Sequence, residues 1–437
     1  MVKIPLHLFS DIQPKKILVI GDFILDTYTH GNIERISPEA PVPILHTQRE
    51  ESRLGGACNV ALNLKTLSTD VEVIGAVGKD RQGQMLKSLL EQQGLNVDKL
   101  LERNVPTTTK NRLIVQGQQI LRIDHEEAKF LTISEENAVI ELFKESLDDV
   151  DVVVFSDYFK GFLTKRLLKE ALQICKERQV ISIVDPKGHD FSRYRGASLI
   201  KPNEKEAYMA ARAQREEPIE NVAKTLFEVA CMDSLFITRA SKGISVFHRN
   251  EHQHFASEIY EVKDVTGAGD TVCAMLSFCM AQNWGLDVAA ELSNIAAGMS
   301  LEHVGCKSIS LSELSKRLLK LHFTSKVFEN ENLYALNQIL SKHPFSLLKI
   351  DSSMQFSANL FEKILHLENP DLELVVFLEK YDLELINILN SIHAIDYIVL
   401  SSVCLKQLLD TLHPKNIYLF KENQLTILDR KQKLFAS

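Results

Sequence analysis

Short apolar runs recur along the chain at residues 17–20, 71–74, 152–155, 181–184, 198–200 and 235–237. Each is too short for a helix and is bounded by polar or turn-forming residues, which predicts buried strands. Helical patterns lie between them, such as 84–93, closed by Gly94, and 164–177, which Thr164 is placed to cap. Strands alternating with helices predict an α/β fold, a mostly parallel sheet flanked by helices on both faces. Two segments break the rhythm. Residues 27–45 carry Pro38, Pro41 and Pro43 with little helical period, and 108–124 read as a hairpin, 110–115 and 119–123 about a turn at Gly117. Together they predict a small second sheet projecting from the first. Residues 345–437 alternate again, with strands at 372–378, 397–400 and 416–420 and helices at 359–366, 383–391 and 405–412, so a small separate α/β unit is expected there.

The glycines set the boundary between the two regions. All 18 lie from Gly21 to Gly305, and residues 306–437 contain none. Tight turns and close backbone approaches to phosphate usually need glycine, so the two parts answer to different constraints. A first domain over 1–318, a linker over 319–344 and a second domain over 345–437 follow. Hydrophobic residues at 45% and charged residues at 25% describe an ordinary globular chain. Fifty Lys and Arg against 58 Asp and Glu leave a net charge of −8, which disfavours nucleic acid or an anionic membrane as a partner of the whole surface. No apolar window is long enough for a membrane span, and residues 1–16 lack a signal-peptide core, so a cytoplasmic protein is expected. Seven cysteines without a C-x-x-C pair read as reduced thiols rather than a disulfide framework or zinc site. His252 and His254 fall in a polar stretch that predicts a turn.

Two glycine motifs carry chemistry. Gly267-Ala268-Gly269-Asp270 precedes an apolar helical pattern over 271–280. A turn of this kind opening a helix aims free backbone N–H groups at one point, where the helix dipole also favours negative charge. The Asp270 carboxylate at its edge suits phosphoryl transfer to a hydroxyl, with the N–H groups meeting phosphoryl charge and the carboxylate taking the proton. The plain alternative is that Asp270 caps the helix and the glycines turn the chain. The second motif is Gly55-Gly56-Ala57-Cys58-Asn59, paired glycines before a helix whose first turn offers the Asn59 amide, both donor and acceptor, to a polyol.

Both motifs, in this order, resemble the signatures of the ribokinase-like carbohydrate kinases. Further strings narrow the resemblance: Gly21-Asp22-Phe23-Ile24-Leu25-Asp26, Arg35-Ile36-Ser37-Pro38-Glu39-Ala40-Pro41-Val42-Pro43, residues 118–124, Ser156-Asp157-Tyr158-Phe159-Lys160-Gly161, Asp185-Pro186-Lys187-Gly188 and residues 201–206. Over about residues 11–315 these are similar to the kinase half of the bifunctional heptose-phosphate kinase/adenylyltransferases. The resemblance implies a ribokinase-like fold with a β lid from about 27–45 and 108–124, and a homodimer formed through that lid. It implies ATP-dependent phosphorylation of the anomeric hydroxyl of D-glycero-β-D-manno-heptose 7-phosphate, on the route to the lipopolysaccharide core. Asp270 would be the base and Gly267, Ala268 and Gly269 the anion hole. Asp22, Asp26, Gly55, Gly56 and Asn59 would face the sugar. Asn203 and Glu206 would organise Mg²⁺ and the nucleotide phosphates, Glu206 through water. Thr238, Arg239 and Gly243 would lie by the ATP phosphates and ribose, Asn294 and Gly298 by the adenine, and Asp264 by a monovalent cation such as K⁺. Physical reasoning supplies alternatives: a strand-end turn for Asp22, and for the phosphate-binding candidates Arg35, Lys110, Arg112, Arg122 and Lys187 an ordinary solvated or ion-paired surface role. A non-catalytic binding scaffold with a kinase fold is the competing function class.

The C-terminal unit departs from the same pattern. A nucleotidyltransferase-like, Rossmann-like half would carry Gly-x-Phe-Asp and His-x-Gly-His, but residues 349–357 hold no His and no Gly, and Phe420-Lys421-Glu422 stand where a Gly-Gly-Asp element is expected. A remnant without adenylyltransferase activity is expected.

Overall fold

The computed structural model describes residues 6–9, 12–249, 251–257, 262–303, 305–322, 326–328, 333–341, 343–351, 354–400, 409 and 413–428. The chain divides into two compact units, one of residues 13–310 and one of 311–437 with 3–12.

In the first unit the strands are β1 (Lys16–Gly21), β2 (Phe23–Ile36), β3 (Pro43–Gly56), β4 (Asp70–Gly78), β5 (Leu100–Arg103), β6 (Thr109–Val115), β7 (Gln118–His125), β8 (Val152–Ser156), β9 (Ile181–Asp185), β10 (Leu199–Ile200), β11 (Ser234–Thr238), β12 (Ile244–His248) and β13 (Glu251–Phe255). The helices are α1 (Ala57–Thr66), α2 (Arg81–Gln92), α3 (Ile133–Ser146), α4 (Lys165–Glu177), α5 (Glu204–Ala211), α6 (Ile219–Ala230), α7 (Ala268–Ala281) and α8 (Leu286–Leu301). Nine strands form the main sheet in the order β13-β12-β11-β10-β9-β8-β1-β4-β5. It is parallel from β5 through β11, and β12 and β13 are antiparallel. The central strands are buried on both faces, as their unbroken apolar runs require. Helix α4 shows how the flanking layer forms. Thr164 accepts the Leu167 N–H at its start, and Leu167, Leu168, Ala171, Leu172 and Cys175 make one buried stripe. Each such leucine contributes about 1.5–3 kcal/mol by leaving water.

From β1 the chain proceeds to β4 and β5 on one side, then returns to β8 on the other. The carboxyl ends of β1 and β8 therefore flank a switch in strand order, where open α/β sheets bind ligands. The second sheet, β3-β2-β6-β7, begins there: only Asp22 separates β1 from β2, and β3 leads through Gly55 and Gly56 straight into α1. Its strands extend beyond the 27–45 segment read from the prolines. The hairpin turn falls at Gln116 and Gly117, both with positive φ, a combination that matches the twist of the flanking strands.

The polar stretch around His252 and His254 is strand β13 rather than a turn. It lies at the sheet edge with one residue, Phe255, buried, so it needs no apolar alternation.

The second unit holds α9 (Leu311–His322), β14 (Val327–Phe328), α10 (Leu333–Leu340), β15 (Phe345–Ile350), α11 (Ala358–His366), β16 (Glu373–Leu378), α12 (Leu383–Ser391), β17 (Tyr397–Leu400), β18 (Asn416–Lys421) and β19 (Gln424–Ile427). Its sheet order is β14-β17-β16-β15-β18-β19, parallel except for β19. The segment expected as a linker, 319–344, thus includes a helix and a sheet strand, and the division falls at 310/311 rather than after 318. The helix expected over 405–412 lies outside the described residues, apart from position 409.

Candidate active site

Helix α7 begins at the mouth of the strand-order switch. Gly267, at φ +81°, ends the preceding loop, and a Cβ there would stand 2.8 Å from Cys306 Sγ and 3.0 Å from Asn59 Nδ2, so only glycine fits. Gly267 at the N-cap has no side chain to cap the helix, and among the described residues no other side chain accepts from its first-turn N–H groups. A Cβ added at Gly269 would meet nothing within 4 Å, so the space beside this turn is open.

Asp270 does not cap its own helix. Its Oδ2 accepts from Asn59 Nδ2 at 2.7 Å, and its Oδ1 accepts from the Tyr158 hydroxyl at 2.6 Å. Burial raises the Asp270 pKa, while the Tyr158 and Asn59 bonds and the Lys201 charge oppose that rise. Burial also lifts the Tyr158 hydroxyl well above the usual phenol range, which keeps it a proton donor. Lys201 follows β10 and pairs at 3.0 Å with Asp185 at the end of β9. Burial pushes Asp185 up to about 6 against the pull of Lys201. Burial alone would lower Lys201, but the Asp185 carboxylate outweighs it.

The loop carrying Tyr158 is pinned by Asp22. Asp22 Oδ2 accepts from the backbone N–H of Tyr158 at 2.9 Å and of Lys160 at 3.1 Å, and Oδ1 accepts from Phe162 at 3.3 Å. Burial and the Asp157 charge push Asp22 up to about 6 despite those three bonds. Asp26 accepts from Arg112 Nη1 at 2.8 Å. Gly55 lies against it so closely that a Cβ would stand 2.5 Å from Asp26 Oδ2. Lys110 lies 5.6 Å from the Tyr158 ring centroid, and burial lowers its pKa. Asp22, Asp26, Gly55, Gly56, Asn59, Lys110, Arg112 and Asp270 are thereby drawn together.

Other expected residues have different surroundings. Arg35 is exposed on β2, and Arg122 makes a two-pronged bond to Asp124 at 2.7 and 2.9 Å. Asn203 and Glu206 form a capping box on α5: Asn203 Oδ1 accepts from Glu206 N at 2.9 Å, and Glu206 Oε2 from Asn203 N at 3.1 Å. Glu206 Oε1 also accepts from Lys187 at 2.7 Å. Arg239 donates to Glu204 and Ser245 from the turn between β11 and β12, which Thr238 and Gly243 flank. Asn294 on α8 donates to the Phe255 carbonyl at 3.0 Å, with Gly298 buried one turn on. Asp264 accepts from Thr266 and from the Gly305 N–H, and these bonds hold it below the usual carboxylate range despite burial. Among the described residues no group of three or more His, Cys, Asp or Glu could hold a metal ion by itself.

Sequence reasoning assigned no part to Tyr158, Lys201 or Asp185. Their signal was positional: each ends a buried parallel strand or follows one within two residues, at the edge where such sheets bind ligands.

The family described as pfkB family carbohydrate kinase matches residues 14–313. "Bifunctional protein HldE" of Syntrophotalea carbinolica is 37% identical over 333 residues, 75% of this chain and 68% of that protein. The protein of the same name from Campylobacter jejuni (strain RM1221) is 40% identical over 331 residues, 75% of this chain and 70% of that protein. Among solved structures, Arabidopsis thaliana ribokinase complexed with ribose and ATP superposes with a TM-score of 0.57 at 17% identity, covering 70% of this chain and 99% of that one.

Proposed function

The chain belongs to the pfkB family of carbohydrate kinases, and from that premise we propose that it transfers the γ-phosphoryl group of ATP to the anomeric hydroxyl of a sugar phosphate, D-glycero-β-D-manno-heptose 7-phosphate. The observation that carries the reading is Asp270, held by Tyr158 and Asn59 beside the uncapped start of α7. In the reaction the sugar hydroxyl replaces one of these donors at the carboxylate and gives up its proton to Asp270. Charge on the transferring phosphoryl group meets the N–H groups of residues 267–270 and the α7 dipole, already oriented before the reaction begins. Lys110 and Arg112, on the lid strand β6 and near Tyr158 and Asp26, are suited to the phosphate that the substrate already carries. Arg122 is less suited, since Asp124 takes both its Nε and its Nη2, whereas Arg112 gives only Nη1 to Asp26. The heptose assignment is supported by the Arg35–Pro43 string and by the likeness to proteins named HldE.

Mg²⁺ would be held mainly by the nucleotide phosphates and water, with Asn203 and Glu206 as outer oxygen partners. Hard oxygen donors suit that ion, and Glu206 is already engaged by Lys187 and the Asn203 N–H. The metal's chemistry is to neutralise charge on the phosphates.

The homodimer reading is supported by the lid. Its strand β7 is exposed along its whole length and carries Ile120, Leu121 and Ile123 in the open. For the second unit we propose no nucleotidyl transfer, because residues 306–437 lack the glycines with which backbone approaches phosphate closely. No helix among the described residues is long and apolar enough to cross a membrane.

The test is Asp270→Asn, assayed for ADP formation with heptose 7-phosphate. Turnover should fall by about 10²–10⁴, the usual contribution of a positioned base, while ATP binding persists. Near wild-type turnover would overturn the assignment, and activity confined to another sugar phosphate would overturn only the heptose part.

A further inference from the structure

Outside the active site, the outer face of α4 borders a cavity of about 360 Å³. Three lysines of that helix line it, Lys165, Lys169 and Lys176, facing Arg193, Arg195 and Cys231. The volume is within the range of small-molecule pockets, roughly 300–1,000 Å³. No carboxylate lines it, in a chain whose net charge is −8.

The local sequence works against ordinary helix electrostatics to put these charges there. Helix α4 opens on Lys165 and Arg166 with no acid in its first turn, where the dipole disfavours cations. Lys165 and Lys169 then stand four residues apart on one face, a like-charged pairing that weakens an isolated helix. The neighbouring arginine of the same helix is neutralised: Arg166 bonds Glu136 and Glu170. Asp190 lies within reach of these charges: bonds from Ser192, and then the Lys165 and Arg193 charges, hold it below the usual carboxylate range.

Arg193 forms the inner wall of the cavity. Its side chain is only 9% exposed, and it pairs with Asp157 at 3.3 Å while lying over the Phe159 and Tyr194 rings. Its Nη2 also donates to the Leu163 carbonyl, so the guanidinium is anchored in the protein and the exposed Lys165, Lys169, Lys176 and Arg195 are the groups left to meet an anion in the cavity.

We propose that this cavity binds a phosphorylated small molecule carrying at least two phosphoryl groups, separately from the kinase active site. The rise of 1.5 Å per residue puts Lys165 and Lys169 about 6 Å apart along the helix, so a single phosphate engages one of the two and a diphosphate reaches both.

Cys231 gives a local readout, since it is exposed at the cavity while Cys58, Cys175, Cys273 and Cys279 are buried. The full-length protein is alkylated with iodoacetamide with and without inorganic pyrophosphate, and the rate at Cys231 is followed by peptide mass spectrometry. For a Kd of about 1 mM, pyrophosphate at about 2 mM slows Cys231 roughly threefold. Inorganic phosphate at the same concentration protects less, and raised NaCl removes the protection by screening. The Lys165→Glu/Lys169→Glu variant, checked for native circular dichroism, should lose the protection while keeping wild-type kinase turnover without pyrophosphate. An unchanged Cys231 rate in the wild type overturns the proposal, and so does equal protection in a folded variant. Should that variant not fold, Lys169→Gln alone is the substitute, with partial loss expected and full retention overturning the proposal.

Discussion

Replacing Tyr158 by Phe removes one hydroxyl and tests whether the ionisation of Asp270 governs activity. Asp270 has two side-chain donors, Tyr158 at 2.6 Å and Asn59 at 2.7 Å. A hydrogen bond to a charged group contributes about 1.5–3 kcal/mol, and about 1.4 kcal/mol corresponds to one pH unit. Losing the Tyr158 bond therefore adds to the rise that burial already imposes on Asp270, by about one to two pH units. A base acts only when deprotonated, so activity is lost as pH falls through its pKa, and a higher pKa moves that loss to higher pH. The acid limb of kcat/KM reports the free enzyme, in which this bond exists. It should move up by about one to two pH units in Tyr158→Phe, with activity recovering on the alkaline side. The assay is coupled ADP release with the sugar phosphate varied, from about pH 5.5 to 9, on protein with native circular dichroism. A limb that stays within about 0.3 pH unit of wild type would refute the assignment of Asp270 as the ionising base.

Gly55→Ala would put a methyl 2.5 Å from Asp26 Oδ2 and disturb the Asp26–Arg112 pair; the KM for the sugar phosphate should rise about tenfold or more, near 1.4 kcal/mol, with the KM for ATP unchanged. Lys201→Met strands the buried Asp185 carboxylate, and urea denaturation should show a loss of about 3–5 kcal/mol. An unchanged midpoint would mean that the pair is not structural. Light scattering should give twice the 49.5 kDa chain mass, and Ile120→Glu with Ile123→Glu should halve it. Supplying heptose 1-phosphate with ATP or CTP should release no pyrophosphate.

The strands of the parallel sheet were legible because both of their faces are buried, which leaves unbroken apolar runs such as those of β1 and β8. Strand β13 was not, because an edge strand with one buried residue carries no such run. Gly267, Asn59 and Asp270 could be found from motif spacing, since each sits at the start of a helix where spacing determines geometry. The Asn203-x-x-Glu206 spacing is ambiguous in principle, being that of a capping box, and those bonds are the ones the side chains make. Tyr158 and the Lys201–Asp185 pair carry no spacing signal at all. Their proximity to Asp270 comes from the order of strands in the sheet, which pattern along the chain does not encode.

The two bonds that hold Asp270 close loops of 211 and 112 residues. Contacts so distant in sequence form late, because the entropy of closing the intervening chain is lost before they reward it. During synthesis, at about 5–20 residues per second, the strands up to β11 emerge before Asp270 does. The turn that carries Asp270 therefore arrives after the strands and loops that hold Asp22, Asn59 and Tyr158, which can already be folded. A nascent or half-folded chain thus has the Asp22, Asn59 and Tyr158 walls of the site but lacks the Asp270 carboxylate they surround.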